Sequence, residues 1–135
     1  MGKAIEILKK KEIGWQDIGE EFTRYVLLKT PWFQVLVHRL WCPNWHELHH
    51  DHPWSFVTLI LRGGYLEKTP GARPHWRPPG TVLYRNAEFA HNVVTTGAVC
   101  WSLVVASSKR RTWGFVDETG RQVKSGAPEE EEDYA

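Results

Sequence analysis

The chain has 135 residues and a formal net charge of +1, enough for one domain around one core. So balanced a charge leaves no whole-chain field to attract nucleic acid or an acidic membrane surface. Charge is instead segregated, with Lys9, Lys10 and Lys11 near the start and Glu129 to Asp133 near the end. The group Lys109-Arg110-Arg111 is too short to count as a basic patch. No apolar stretch has the length of a signal peptide or a bilayer span, so a cytoplasmic protein without a membrane partner is expected. The eight tryptophans are expected to fill the core, with one or two lining a pocket. Cys42 and Cys100 match no zinc or redox spacing, and both sit in apolar runs as small buried hydrophobes.

Residues 3 to about 11 read as a short amphipathic helix, with Ile5 and Leu8 on one side, and a second helical turn is expected from Gln16 to Phe22. From Arg24 the pattern becomes that of strands. Tyr25-Val26-Leu27-Leu28 and Phe33 to Trp41 are β-rich runs joined across Lys29-Thr30-Pro31-Trp32, an antiparallel pair. Trp54 to Leu61 is a further strand, ended by Gly63-Gly64, with Tyr65-Leu66-Glu67 continuing past a turn or bulge. Residues 69–79 are rich in turn formers and read as a loop. Strands follow at Thr81 to Arg85, Ala90 to Val94 and Val99 to Ala106, the last apolar and central. Arg111 to Val116 and Arg121 to Val123 flank the turn Asp117-Glu118-Thr119-Gly120. Many short strands separated by Gly and Pro predict an all-β sandwich or barrel over residues 24–125. An N-terminal helical segment over residues 1–23 is expected to pack on it, and residues 126–135 form an acidic, disordered tail.

Of seven histidines, four lie between His46 and His52. His50 and His52 have spacing i, i+2, which on a strand puts both imidazoles on one face. Two neutral imidazoles side by side make a bidentate platform for a divalent metal. One strand cannot surround an ion, and His91, after the turn at Asn86-Ala87-Glu88, is the best third ligand. His49 and Asp51 point to the opposite face of an ideal strand. Asp51 would orient a neighbour or bind backbone, or would swing in as a ligand if a bulge intervened. His38 has the right type for a fourth ligand or a nearby base, while His75 would rim the pocket.

These residues resemble the two motifs of the cupin superfamily, G-x5-H-x-H-x3,4-E-x6-G and G-x5-P-x-G-x2-H-x3-N. His50-x-His52, three residues, Phe56, six residues and Gly63 follow the first spacing; Gly80, five residues, Asn86-x-Glu88, two residues and His91 follow the second. The match runs from about residue 34 to 116. The strings HDHPWSF, LRGGYLE, GTVLYRNAEFAHNV and WSLVVASSKRRTWGF are similar to a group of small bacterial and phage cupins. The resemblance implies a double-stranded β-helix, or jelly roll, with one divalent metal per chain held by His50, His52 and His91. Iron is the first expectation; manganese, nickel and zinc are the others. The chain departs from the motifs at Phe56, where the family has a ligating Glu, at Asn86 and Glu88 in place of Pro and Gly, and at Thr95 in place of Asn. A three-His set without the Glu resembles the iron centres of thiol dioxygenases.

The expected function is a mononuclear non-haem metal oxygenase or dioxygenase acting on a small molecule. A metal-dependent isomerase, and a ligand-binding or structural barrel without turnover, are the alternatives. Tyr65, Glu67, Tyr84 and Arg85 are further pocket candidates beside His38 and Asp51. Pairing through an exposed strand or the N-terminal segment would make a homodimer.

Overall fold

A computed structural model describes residues 5–12 and 21–125, with side chains over 21–123. Twelve strands appear among them: β1 (Ile5–Glu12), β2 (Glu21–Lys29), β3 (Phe33–Trp41), β4 (His49–His50), β5 (Phe56–Arg62), β6 (Tyr65–Lys68), β7 (His75–Arg77), β8 (Val82–Arg85), β9 (Asn92–Val94), β10 (Cys100–Ser107), β11 (Gly114–Val116) and β12 (Gln122–Ser125). The expected strand runs are all present, and β10 is central as its apolar, β-branched sequence predicted. Local chemistry explains the turns. Between β2 and β3, the Thr30 hydroxyl accepts the backbone N–H groups of Trp32 and Phe33 at 3.1 and 3.0 Å.

One sheet runs β1-β2-β3-β10-β5-β8, antiparallel throughout. Opposite it, β12-β11-β4 and β7-β6-β9 are two three-stranded pieces. A single antiparallel bridge, His50 to His91, joins them, with His50 N–H donating to the His91 carbonyl and His91 N–H to the His50 carbonyl, both at 2.9 Å. The pieces therefore act as one six-stranded layer, β12-β11-β4-β9-β6-β7. The two layers form the all-β jelly roll that the sequence predicted.

Period-2 alternation decides what is inside. Gln34, Leu36 and Leu40 on β3, Phe56, Thr58 and Ile60 on β5, and Cys100, Ser102, Val104 and Ala106 on β10 are buried. Their apolar members form two clusters. Phe22, Leu40, Cys42, Ile60, Tyr65, Val93 and Cys100 make one; Val26, Leu36, Trp54, Phe56, Val104 and Ala106 make the other. Leu36 and Ile60 are fully buried, each worth about 1.5–3 kcal/mol relative to exposure. The register also aligns three polar residues across neighbouring strands, Arg24 opposite His38 and His38 opposite Ser102.

Several expectations change. Ile5–Glu12, expected as a helix, is the edge strand β1 paired with β2. An isolated helix this short is marginal in water, whereas β2 offers a row of backbone groups to pair. The expected turn at Gln16 falls outside the described residues up to position 20, and Glu21 and Phe22 open β2. The acidic tail over 126–135 also lies outside them. Residues 69–79 are not wholly loop, because β7 pairs with β6 there. The tryptophan-filled core is not found: Trp54 alone among the described tryptophans is buried, and Trp32 is 75% exposed. Branched aliphatic, cysteine and phenyl groups join Trp54 and Tyr65 in the described core, while Trp32, Trp45 and Trp76 are exposed. Cys42 and Cys100 are buried as expected, with no disulfide among the described residues.

Gly63 and Gly80 have φ near +90°, the left-handed region that a side chain resists. At Gly63 an added Cβ would also overlap the Val99 carbonyl, whereas at Gly80 it would meet nothing within 4 Å. Gly80→Ala should therefore cost only the backbone strain of about 1–3 kcal/mol. Gly63→Ala should cost distinctly more. Urea midpoints of the two variants compare them, and equal losses would contradict the close approach at Gly63.

Candidate metal centre

The bridge that completes the second layer also positions two of the three histidines. Residues directly opposite in an antiparallel pair put their side chains on the same face, so His50 and His91 stand side by side. Beyond β4 the chain stays extended. Asp51 N–H donates to the Gly114 carbonyl at 3.0 Å on one side, and His52 N–H to the Ala87 carbonyl at 3.0 Å on the other. That alternation puts His52 on the same face as His50, as the i, i+2 spacing predicted. The turn expected at 86–88 is closed by Phe89 N–H on the Asn86 carbonyl at 3.0 Å.

The three imidazoles form a near-equilateral triangle. Ring centroids are 5.1 Å apart for His50 and His52, 4.7 Å for His50 and His91, and 4.9 Å for His52 and His91. One nitrogen from each lies within 4.8 Å of the other two, a set that could hold a metal ion. Burial, followed by the neighbouring imidazole of His91, holds both His50 and His52 well below the ordinary histidine value; a backbone hydrogen bond at Phe89 partly opposes this at His52. Both are therefore neutral near pH 7, the form that ligates. The Nδ1 of His52 is buried without a hydrogen-bond partner among the described residues, a cost that metal ligation would remove. The donor set fits a borderline divalent ion of the first transition row.

The place of the missing motif Glu is taken by Phe56, whose ring lies edge-on to His52 at 4.7 Å between centroids. A carboxylate is nevertheless present, behind the cluster. Buried Glu67 stands with its Oε2 2.7 Å from His91 Nδ1. The same carboxylate accepts Arg77 Nε at 3.0 Å, Arg85 Nε at 3.2 Å and Arg85 Nη2 at 2.6 Å. Burial alone would raise the pKa of Glu67, but the hydrogen bonds and charges of His91 and Arg85 outweigh it, and the group is held well below the usual carboxylate range.

The other candidates separate clearly. Asp51 does not join the cluster: its carboxylate accepts the Gly114 N–H and lies 3.1 Å from Arg111 Nη1, the backbone-binding role. His49 faces away, fully buried, with Nε2 3.1 Å from Glu118 Oε2. His38 stands outside the three-His group and accepts Arg24 Nε on its own Nε2 at 3.2 Å, which occupies that lone pair. Burial and then the Arg24 charge depress its pKa. Tyr65 is buried, and burial followed by Glu67 raises its phenol well above the ordinary range, so it stays protonated. Tyr84 is 63% exposed and lines no interior pocket, because its strand parity turns it outward from β8. His75 is exposed on β7, and His46 exchanges hydrogen bonds with Asn92 through its backbone.

Two features had no clear signal in the sequence. Arg77 lies in a stretch that reads as loop, so nothing paired it with Glu67. An arginine between apolar positions of a strand gives little sign of burial, yet Arg24 shares the inward parity of Phe22 and Val26 on β2, and its guanidinium stands 4.9 Å from the Trp54 ring centroid.

The depressed histidines predict a sign for the pH dependence of the metal-free protein. Unfolding restores ordinary values near 6.5, so below that pH the unfolded chain binds more protons. Stability should be flat above pH 7 and fall on acidification through 6.5, by up to about 1.4 kcal/mol per pH unit for each of His50 and His52. Denaturant midpoints from pH 8 to 5 measure it, and the double variant His50→Gln, His52→Gln should lose much of that slope.

No protein-family model matches the chain. No curated protein matches it either. Solved structures do. The polyketide cyclase RemF from Streptomyces resistomycificus is 21% identical, with a TM-score of 0.63 over 95% of this chain and 84% of that one. A cupin 2 conserved barrel domain protein from Rhodopseudomonas palustris is 12% identical, with a TM-score of 0.61 over 83% and 77% of the two chains. FeII HppE is 18% identical, with a TM-score of 0.56 over 79% of this chain and 58% of that one. At such identities the likeness is one of fold, and together with the two-layered antiparallel architecture it makes this chain a cupin-type jelly-roll barrel.

Proposed function

We propose that His50, His52 and His91 hold one divalent metal ion and that the chain is a metal-dependent enzyme acting on a small molecule inside the barrel. The observation that carries this reading is the triangle of imidazoles, two of them held neutral, backed by a buried ionised carboxylate on His91. An iron centre of the oxygenase or dioxygenase type is the first form of the proposal, supported by the similar barrel of FeII HppE. When bound, such an ion supplies Lewis acidity and, for iron, one-electron chemistry with dioxygen.

The chain's own groups set the surroundings. Phe56 and Phe89 lie edge-on to His52 and His91, at 4.7 and 5.7 Å between centroids, and shield those flanks from water. The two apolar clusters surround the barrel's interior, where polar interactions strengthen as water is excluded. Tyr65 offers a protonated hydroxyl and cannot act as a base near neutral pH.

A second reading is Lewis-acid chemistry without redox change, as in an isomerase or a cyclase. Three neutral ligands leave the full charge of a divalent ion uncompensated, which favours polarising a substrate oxygen. The similarity to RemF, a polyketide cyclase, across 95% of this chain also favours it.

Metal analysis of untagged protein should find about one equivalent per chain. Each of His50→Ala, His52→Ala and His91→Ala should lower metal affinity by at least about tenfold while circular dichroism stays native. His49→Ala, which alters the opposite face, should retain the ion. Oxygen consumption by the ferrous-loaded protein with candidate substrates then separates the two readings. A wild-type protein that binds no ion after anaerobic ferrous loading would leave a ligand-binding or structural barrel.

A further inference from the structure

Glu67 lies on β6, two residues along the strand from the position that would face His91, because Glu67 pairs with Val93 and Lys68 with Asn92. Glu67 and His91 are thus diagonal neighbours on one face of the β6–β9 ladder, within reach of a long side chain. The two arginines arrive from different places. Arg77 comes from β7 on the other side of β6, where it pairs with Tyr65. Arg85 comes from β8 at the edge of the opposite layer, where it pairs with Phe56. Side chains from β7, β8 and the His50–His91 bridge therefore converge on one carboxylate.

Hydrogen-bond bookkeeping constrains His91. Oε1 of Glu67 accepts Arg77 Nε and Arg85 Nη2; Oε2 accepts Arg85 Nε and faces His91 Nδ1. Guanidinium groups only donate, so both carboxylate oxygens act as acceptors, and three guanidinium N–H groups on the pair favour the ionised carboxylate, which can only accept. Nδ1 of His91 must then be the donor. In a neutral imidazole the remaining lone pair is on Nε2, the nitrogen left to ligate.

We propose that Glu67, locked as an acceptor by Arg77 and Arg85, is a positioning residue that selects the Nδ1–H tautomer of His91 and so makes its Nε2 competent to bind metal. This rests on the metal-centre reading above, but it is a statement about the tautomer of His91 and can be tested in the metal-free protein. Glu67→Gln is the discriminating change, since it keeps size and shape. The amide oxygen is drawn to the two guanidinium donors at the Oε1 position, so the amide NH2 faces His91 and donates to Nδ1. His91 should then carry its proton on Nε2.

The experiment is 15N-resolved NMR of the His91 ring in metal-free wild type and Glu67→Gln, beside cobalt(II) and zinc(II) titrations of both. The expected result is the Nδ1–H form in wild type, the Nε2–H form in the variant, and metal affinity lower by about 10–100-fold in the variant with its fold intact. An Nε2–H form in metal-free wild type, or wild-type metal affinity in a folded Glu67→Gln, would overturn the proposal. If Glu67→Gln does not fold, the wild-type tautomer decides alone. If wild type binds neither ion yet shows the Nδ1–H form that Glu67→Gln reverses, the metal-centre reading fails while the tautomer assignment stands.

Discussion

Two backbone hydrogen bonds between His50 and His91 hold the second layer of the barrel together. Without them the β12-β11-β4 and β7-β6-β9 pieces are separate three-stranded sheets, each too small to cover the opposite six-stranded layer. Each bond contributes only about 1 kcal/mol net, but the buried groups left unmet by its loss would cost more. The residues that make this join are the ones whose side chains face each other at the candidate metal centre. Closing the fold and assembling the site are consequently one event. A strand slip of one residue at this join would turn the imidazoles outward and abolish both.

Around that join the charges are arranged on two sides. Behind His91, buried Glu67 meets two half-buried arginines, and both of its carboxylate oxygens have partners. On the opposite face, His49 meets Glu118, whose carboxylate also takes Lys68 Nζ at 2.8 and 2.9 Å and Gly71 N–H at 2.9 Å. That second tie fastens the β11–β12 turn to the strand that carries His49 and His50. The lysine, the Gly71 amide and His49 hold the Glu118 carboxyl near 2, so it remains charged through the neutral range. Exposed as Glu118 is, the pair orients the turn more than it stabilises the fold.

The interior supplies the contrast that makes the polar groups effective. Arg24, His38 and Ser102 cross neighbouring strands of the first layer in register, with apolar residues above and below them. Burial of the His50 and His52 imidazoles suppresses their charged forms, which lets these two sit side by side at neutral pH. Phe56 extends that effect. Where the family resemblance leads one to expect a ligating carboxylate, a phenyl ring lies edge-on to His52 instead.

Much of this was legible in the sequence by itself. Alternating apolar residues between Gly and Pro punctuation specified the strands, since side-chain parity and turn chemistry are local properties. The spacing of His50 and His52 put them on one face, and the resemblance of the two motifs drew His91 to them. What the sequence left open depends on contacts between distant strands. Glu67 finds His91 across 24 residues, Arg85 across 18 and Arg77 across 10, and no local pattern encodes those meetings. The same holds for Ile5–Glu12, whose short apolar spacing suits a helix alone but a strand once β2 offers an edge. Tyr84, Trp32, Trp45 and Trp76 are aromatic yet lie exposed, because inward positions are allotted by register and by the volume the barrel can hold. Sequence therefore determined which residues could ligate and on which kind of element. Tertiary structure decided which carboxylate stands behind them, because that follows from how two sheets close on each other.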